Sequence, residues 1–276
     1  MSETVKRKHH RGRRKKRGKS NVVSNIILVI AIAVFLFSGY KLISIFSEYN
    51  KGETEYEDLQ DVVISYQPKE ETTDSEASEE ELVFEVDFEK LLSINSEAVA
   101  WIRFDNPSQI SYPVVKASDN DKYLKTTFEG KKNSAGALFM DYQNAGDFTD
   151  ENTFIYGHNM KNGSMFGRLR NYKNSSFCKE NPYFYIYLPD GREVQYQVFA
   201  ACVVKDTSET YDKFYNNAEE FQNYIKYVRG CALYSTDVEV TAESQIVSLS
   251  TCTNVSDDER LVIHGVKVSE QKPEEQ

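Results

Sequence analysis

The most informative stretch of the chain, residues 245–268, reads QIVSLSTCTNVSDDERLVIHGVKV and consists of two apolar runs around a polar loop. The first run ends at Thr251 and the second begins at Leu261, and both are rich in Val, Ile and Leu. Val and Ile favour strands, whereas the Asn, Ser and Asp between the runs are typical of loops. If the two strands pair antiparallel, Cys252 and Arg260 face each other at one rim of the sheet.

Short strand-like segments of the same kind recur upstream of this pair. Many are rich in Val, Ile, Tyr and Phe, and they are bounded by turns such as Pro189-Asp190-Gly191. Further strands are predicted at residues 101–104, 137–140, 153–156, 183–188 and 193–204. Strands at this spacing predict a mainly β fold, a closed or nearly closed barrel with flanking helices.

Two helices are predicted beside the strands. Asp87 can cap a short helix that runs through Leu92. Asn217 can cap a second helix, because Glu220 follows three residues on and Gly230 stands after its end. The apolar residues of this second helix recur at helical spacing and predict a packing face: Phe221, Tyr224, Ile225 and Val228.

An uncharged apolar stretch near the N-terminus predicts a membrane span. No charged side chain occurs from residue 20 to residue 40, and about 20 apolar residues cross a hydrocarbon core of about 30 Å. A cleaved signal peptide and a buried core helix are the alternatives. The apolar run exceeds a usual signal core. An uncleaved anchor is therefore the favoured interpretation.

The residues before this span are strongly basic. Residues 1–20 contain ten Lys and Arg side chains against the single Glu3. Such a cluster stays on the cytoplasmic side of a membrane, which places the C-terminal bulk of the chain outside. A nucleic-acid arm has the same composition, but the position next to a span favours a topogenic role with anionic lipid headgroups as contacts.

An acidic segment follows the span. Residues 47–81 contain thirteen Asp or Glu against two Lys, with few apolar side chains near their end. This composition predicts a solvated linker, because it offers little surface to bury. The predicted organisation is a cytoplasmic basic tail, a transmembrane anchor, an acidic extracytoplasmic linker, a folded catalytic domain and a C-terminal tail, at residues 1–20, 21–46, 47–81, 82–269 and 270–276.

The charge balance argues against nucleic acid as a partner. The whole chain carries a formal net charge of −10 although its first 20 residues are basic. The predicted outer domain is therefore strongly acidic and repels a phosphate backbone.

The histidines and cysteines of the outer domain offer few candidates for chemistry. His158 stands at the end of a predicted strand, whereas His264 lies within one and is expected to be a sheet side chain. Cys252 also ends an apolar strand. Cys202 lies mid-strand and Cys231 follows the predicted helix, where a small buried hydrophobe is the usual role. Cys178 lies in a loop rich in Ser and Asn and stays open. No CxxC pair or metal-ligand spacing occurs.

The sequence allows two interpretations of Arg260. Facing Cys252, its guanidinium could lower the pKa of the thiol or stabilise an oxyanion. Alternatively, it is a surface side chain that pairs with a neighbouring acid: Asp257, Asp258 or Glu259.

The ordered set of these residues resembles a known family. Leu249-Ser250-Thr251-Cys252 followed by Arg260, with Gly157-His158-Asn159 upstream, resembles the signature of the sortases. Thr-Cys-Thr-Asn with Asp-Asp-Glu-Arg-Leu-Val is similar to the class B branch, in which a helix precedes the cysteine strand, although Ser248 stands where Thr is commoner. The resemblance covers about residues 82–268 and implies a closed eight-stranded sortase-type β-barrel behind a single transmembrane helix.

The resemblance also implies an activity. Cys252 would attack the Thr–Gly carbonyl of a C-terminal sorting motif similar to LPxTG or NPxTx in a surface protein, with His158 as acid and Arg260 stabilising the transition state. An amino group of the peptidoglycan precursor would resolve the thioester, without metal or organic cofactor. Asn120, Leu124 and Ser250 match positions that line the peptide groove. The implied location is the cell membrane of a Gram-positive bacterium, with the catalytic domain outside.

Three other functions remain compatible with parts of the sequence. A pilus-type sortase would join subunits through a lysine amine. A hydrolytic cysteine protease would also use Cys and His, but no Asn or Asp orienting partner is evident by motif. A non-enzymatic membrane-tethered adhesin would need only the anchor and the acidic segment.

Overall fold

The computed structural model describes residues 19–68 and 82–272. The first eighteen residues of the predicted basic tail, residues 69–81 of the predicted linker and residues 273–276 of the predicted C-terminal tail lie outside this range. The chain forms two compact units, Met1–Ser47 and Glu48–Gln276.

The first unit contains most of the apolar helix. Helix α1 spans Lys19–Val63, and its large apolar side chains from Val22 to Phe46 are exposed. Within the described residues, it is the one helix that is long and apolar enough to cross a membrane by length and composition. Exposed apolar side chains on all faces suit a lipid environment rather than water.

The second unit begins well before residue 82, so the predicted linker is wrong for residues 48–68. The end of α1 buries Tyr56, Leu59 and Val63, and strand β1 (Ile64–Pro68) pairs antiparallel with β2 (Leu82–Val86). The buried residues recur every three or four positions, as one helix face requires. Most of the acidic residues around them are exposed, so the average composition of the segment hides the buried face.

Eight strands close into a barrel, which confirms the predicted fold class. They are β3 (Ala98–Arg103), β4 (Ser111–Val115), β5 (Leu138–Met140), β6 (Asn152–Tyr156), β7 (Tyr183–Tyr187), β8 (Glu193–Lys205), β9 (Ile246–Cys252) and β10 (Glu259–Gln271). Their order around the barrel is β10-β8-β7-β3-β4-β5-β6-β9. The pairs β4–β5 and β6–β9 are parallel, and the other pairs are antiparallel.

One strand of the barrel was not predicted, and another runs further than predicted. β4 was missed because Pro113 lies at its centre, paired with Trp101, and proline usually marks an edge or an end of a strand. β10 continues to Gln271, two residues into the predicted C-terminal tail.

Aromatic side chains fill the barrel. The ring of Phe184 stacks between those of Phe104 and Tyr196, with centroid distances of 5.1 and 5.2 Å, and all three side chains are fully buried. Gly265 makes room for this stack, because a Cβ there would lie 2.4 Å from the Phe184 ring. Burial of large aromatic side chains with their rings packed at these centroid distances is a main contribution to the stability of the core.

The predicted helices are present with their predicted caps. Helix α2 (Phe88–Ile94) is capped by Asp87, and α4 (Ala218–Cys231) by Asn217, whose side chain accepts a hydrogen bond from the backbone N–H of Glu220. Gly230 lies inside α4 rather than after it, because the helix continues to Cys231. A third short helix, α3 (Ser175–Glu180), was not predicted.

One face of α4 packs on the barrel and reaches the segment after β8. Its four predicted apolar residues are buried in a cluster with Phe199, Ala200 and Val266. The hydroxyl of Tyr224 donates to the carbonyl oxygen of Thr210 at 2.7 Å. The next residue, Tyr211, has its hydroxyl 2.8 Å from Ser250 Oγ on β9, so α4 supports β9 through this segment.

Replacing Ile225 by Asp is expected to destabilise the second unit by about 4 kcal/mol or to prevent folding, because loss of a core aliphatic side chain alone costs about 2–5 kcal/mol and a buried unpaired carboxylate adds to it. Denaturant unfolding and peptide turnover measure the effect. The control is Asn223→Asp, which adds the same charge at an exposed position of the same helix. Wild-type stability and turnover in Ile225→Asp would show that α4 is dispensable.

His264 lies at one end of a buried polar chain. Its Nδ1 lies 2.8 Å from Ser248 Oγ, and that hydroxyl donates to Asn152 Oδ1 at 2.7 Å. The Asn152 amide in turn donates to the hydroxyl of Tyr224. Since the Ser248 proton is directed at Asn152, Nδ1 of His264 carries the proton in its own bond to Ser248. Burial lowers the pKa of His264 to about 3.

The free energy of unfolding is therefore expected to fall as the pH falls from 6.5 towards 3. In that window the unfolded chain binds the His264 proton and the folded chain does not, which costs up to about 1.4 kcal/mol per pH unit. Denaturant titrations at pH 7, 6 and 5 on the wild type and on His264→Asn isolate this contribution. A variant with the wild-type pH slope would show that His264 does not cause it.

Candidate active site

His158 and Cys252 emerge from the same end of two neighbouring parallel strands. Tyr156 of β6 is paired with Ser250 of β9, and each candidate stands two residues beyond its strand's paired residue. The backbone N–H of Gly157 donates to the carbonyl oxygen of Ser250 at 3.1 Å. Because His158 and Cys252 each lie two residues beyond this pair of neighbouring residues, their side chains lie at the same rim of the barrel.

Asn159 ties the histidine segment to the cysteine. Its Nδ2 donates to the carbonyl oxygen of Cys252 at 2.7 Å, and Asn254 Nδ2 donates to the carbonyl oxygen of Asn159 at 3.0 Å. Thr251 Oγ1 donates to the carbonyl oxygen of Gly157 at 2.7 Å. These bonds run in both directions between the two segments and fix their separation.

The glycine before His158 is required by packing. A Cβ on Gly157 would lie 2.3 Å from Leu138 Cδ2 and 2.7 Å from Phe166 Cδ2, well inside van der Waals contact. The backbone therefore passes close under these side chains. The imidazole of His158 is oriented by its Nε2, which donates to the carbonyl oxygen of Leu124 at 2.7 Å.

Arg260 faces Cys252 as the sequence predicted. The two residues are register partners in the antiparallel pair β9–β10. The guanidinium donates to the backbone carbonyl oxygens of Asp257 and Glu259 and forms an ion pair with Asp206 Oδ2 at 3.2 Å. The partner carboxylate thus comes from the segment after β8 rather than from the three neighbouring acids, and it holds the guanidinium at the rim.

One pocket of about 240 Å³ collects the six residues singled out from the sequence. They are Asn120, Leu124, His158, Ser250, Cys252 and Arg260. Phe139, Tyr156 and Gly157 complete the lining and were missed. Tyr156 and Gly157 directly precede His158 in the chain, so their position was a usable signal. Phe139 lies in a short apolar strand that carries no such signal.

The other cysteines are less suited to nucleophilic chemistry. Burial raises the pKa of Cys202 to about 12 and also raises the pKa of Cys178. Cys178 lies in α3 rather than in the predicted loop, and it is buried beside a larger pocket of about 510 Å³. Cys231 ends α4. Within the described residues, no group of His, Cys, Asp and Glu is arranged to hold a metal ion.

Comparison with known proteins agrees with this geometry. The sortase domain family profile matches residues 106–268, more than half of the chain. The chain belongs to the sortase family. Sortase B of Listeria monocytogenes serovar 1/2a is 32 % identical over 255 residues, which cover 91 % of this chain and 98 % of that protein.

Solved structures place this sortase in class B. The crystal structure of sortase B from B. anthracis in complex with AAEK1 matches with a TM-score of 0.68 and 32 % identity, over 82 % of this chain and all of that chain. The Staphylococcus aureus sortase B–substrate complex matches with a TM-score of 0.62 and 28 % identity, over 66 % and 84 % of the two chains. As a sortase B homologue, the protein is a transpeptidase of surface proteins, and the apolar part of α1 is a candidate membrane span.

Proposed function

We propose that this sortase uses Cys252 as the nucleophile on the sorting motif of a surface protein. The observation that carries the proposal is that Cys252, His158 and Arg260 line one open pocket at the rim where β6 and β9 end and β10 begins. Cys252 is half-buried, whereas Cys178 and Cys202 are fully buried with raised pKa values. A thiolate is the reactive form of cysteine, so the exposed rim suits the role.

The reaction proceeds in two steps. In the first, the Cys252 thiolate adds to the carbonyl carbon of the Thr–Gly bond, or its equivalent, in a motif similar to LPxTG or NPxTx. The C–N bond then breaks, His158 gives a proton to the leaving amine, and a thioester remains on Cys252. In the second, an amine of the peptidoglycan precursor attacks the thioester and gives a proton to His158, the C–S bond breaks, the new amide bond forms and the thiolate returns. This acyl transfer requires neither metal nor organic cofactor.

Arg260 is proposed to stabilise the oxyanion that forms in both steps. Charge develops on the carbonyl oxygen during each attack, and a fixed donor next to the thiol lowers the barrier. The ion pair with Asp206 and the bonds to two backbone carbonyls hold the guanidinium in place before substrate binds. Asn120, Leu124 and Ser250 are proposed to line the groove for the donor peptide.

Mass spectrometry of the products formed from sorting-peptide libraries with candidate amines tests this function. The proposal expects one peptide motif cleaved after Thr and joined to an amine of the cell-wall precursor. Products joined only to a lysine within a protein would assign the enzyme to pilus assembly. Hydrolysis of the peptide without transfer, whatever amine is supplied, would contradict the proposal.

The proposed topology is a single pass with the basic tail in the cytoplasm and the catalytic domain outside. It rests on the ten positive residues that precede the uncharged stretch. Protease added to intact protoplasts is expected to remove the domain beyond Lys41 and to spare an epitope on the N-terminal tail. A protected C-terminal domain in protoplasts, with cleavage only after lysis, would overturn this orientation.

A further inference from the structure

A buried carboxylate lies directly behind the wall of the pocket. Asp141 follows β5 and is 1 % exposed. Its Oδ2 accepts hydrogen bonds from Asn120 Nδ2 at 3.1 Å, from the hydroxyl of Tyr156 at 2.9 Å and from Lys213 Nζ at 3.0 Å. Two of these donors, Asn120 and Tyr156, belong to the pocket lining. Asp141 and Lys213 do not, so they act on the pocket only through their neighbours.

The carboxylate is held in its charged form. Burial alone would raise the pKa of Asp141, but the backbone and side-chain donors around it outweigh burial and keep the pKa below its ordinary value. Lys213 is the cation of the pair, and its side chain is itself only 14 % exposed. A buried pair of this kind is sensitive to loss of one partner, because the remaining charge is left desolvated.

The pair fixes the orientation of the Asn120 amide. Asn120 Oδ1 accepts from the backbone N–H of Tyr142 at 3.0 Å, while one N–H of its Nδ2 is directed at Asp141. An amide group has two donors and one acceptor atom, so this arrangement leaves one N–H for the pocket. Within the described residues, that second N–H has no hydrogen-bond partner. A peptide bound in the pocket would therefore meet an Asn120 N–H donor whose position is fixed.

The segment that carries Lys213 touches the pocket wall at a second point. Tyr211, two residues earlier, has its hydroxyl 2.8 Å from Ser250 Oγ, on the strand that leads to Cys252. The segment therefore connects the β5–β6 side of the pocket, through Asp141, with its β9 side, through Ser250. A shift of Lys213 would act on both walls.

We propose that Asp141 and Lys213 form a positioning pair that sets the Asn120 amide and the Tyr156 ring for binding of the donor peptide. The inference rests on the proposed function and goes beyond it by assigning two residues outside the pocket. Because the pair contacts neither Cys252 nor His158, it controls affinity for the donor peptide rather than the rate of bond cleavage.

The test measures binding and turnover separately. Binding is the Kd of a fluorescent sorting peptide for proteins that carry Cys252→Ala, which keeps chemistry out of the measurement. In that background, Lys213→Met is expected to raise Kd about tenfold and Lys213→Arg to raise it less than threefold. In the active enzyme, Lys213→Met is expected to raise KM about tenfold and to change kcat less than twofold.

A double-mutant cycle decides whether the pair acts through the pocket residues. In a protein that already carries Asn120→Ala and Tyr156→Phe, adding Lys213→Met is expected to change Kd less than twofold. The matched control is Arg192→Met, which removes the 2.8 Å ion pair between Arg192 and Asp190. That pair lies just before the start of β8, whereas Lys213 follows the end of β8. The Asp141→Asn/Lys213→Met double variant removes both charges. It replaces Lys213→Met in these measurements if the single variant does not fold.

Each result has one meaning for the proposal. An unchanged Kd in Lys213→Met, or a tenfold increase that persists in the Asn120→Ala/Tyr156→Phe protein, would overturn the positioning pair. So would a loss confined to kcat. Failure of the wild type to transfer a peptide that it binds would instead count against the proposed reaction and leave the binding result standing.

Discussion

A Cys252→Ala enzyme is expected to fold like the wild type and to lose transpeptidation completely. Removing the nucleophile of a catalytic unit costs on the order of 10⁶ in turnover, which lies at the detection limit of peptide assays. Stability changes little, because Cys252 is only half-buried at the strand end. Turnover of a fluorogenic sorting peptide and thermal unfolding measure the two effects.

The control for this variant is Cys231→Ala. Cys231 is also a half-buried free cysteine, but it ends α4 and does not line the pocket. Its replacement is expected to leave turnover near the wild-type value. Residual activity of Cys252→Ala that depends on another cysteine would show that the nucleophile has been assigned to the wrong residue.

An Arg260→Lys enzyme is expected to lose about 10²–10³ in kcat, or roughly 3–4 kcal/mol of transition-state stabilisation. Arginine presents a planar fork of donors, and in this structure the fork is shared between Asp206 and two backbone carbonyls. A lysine ammonium keeps the charge but cannot reproduce that geometry. Folding and labelling of Cys252 by a thiol reagent are expected to be normal.

The alternative for Arg260 is a structural ion pair alone. The side chain is 23 % exposed, and an exposed pair contributes only about 0–1 kcal/mol of stability without affecting the rate. Asp206→Asn separates the two roles, because it removes the ion pair and keeps the Cys252 and Arg260 side chains: an ion pair that is only structural predicts lower stability with wild-type kcat. Near-wild-type kcat in Arg260→Lys would restrict the chemical mechanism to Cys252 and His158.

Local signals in the sequence were sufficient to predict the part of the site whose residues lie close to one another in the chain. β9 and β10 are joined by a short polar loop, so the antiparallel pairing of Cys252 with Arg260 could be predicted and is confirmed. The caps Asp87 and Asn217 were predicted for the same reason, since a cap acts within one helical turn.

Long-range contacts were beyond the reach of sequence patterns. The strands β6 and β9 are parallel and separated by about ninety residues, and no local pattern states that they are neighbours. The resemblance to sortases, not periodicity, joined His158 to Cys252. The Asp206 partner of Arg260 and the carboxylate of Asp141 behind Asn120 come from distant segments as well.

Average composition also misled at one place. The acidic residues of 47–81 predict a solvated linker, yet Tyr56, Leu59 and Val63 form a buried face of α1. Period, rather than the count of charges, determines whether a helix can pack. A single residue misled in the same way at Pro113, because a proline usually argues against a strand, yet Pro113 lies within strand β4 of the barrel.

The most direct test of Cys252 as the nucleophile is the intact mass of the wild-type enzyme incubated with a sorting peptide and no amine acceptor. The enzyme is expected to gain a covalent adduct equal in mass to the acyl part of the peptide. Proteolytic mapping is expected to place it on Cys252, and hydroxylamine to release it, as a thioester requires. An adduct on another residue, or turnover that proceeds with no hydroxylamine-labile adduct at any time, would contradict the assignment of Cys252 as nucleophile.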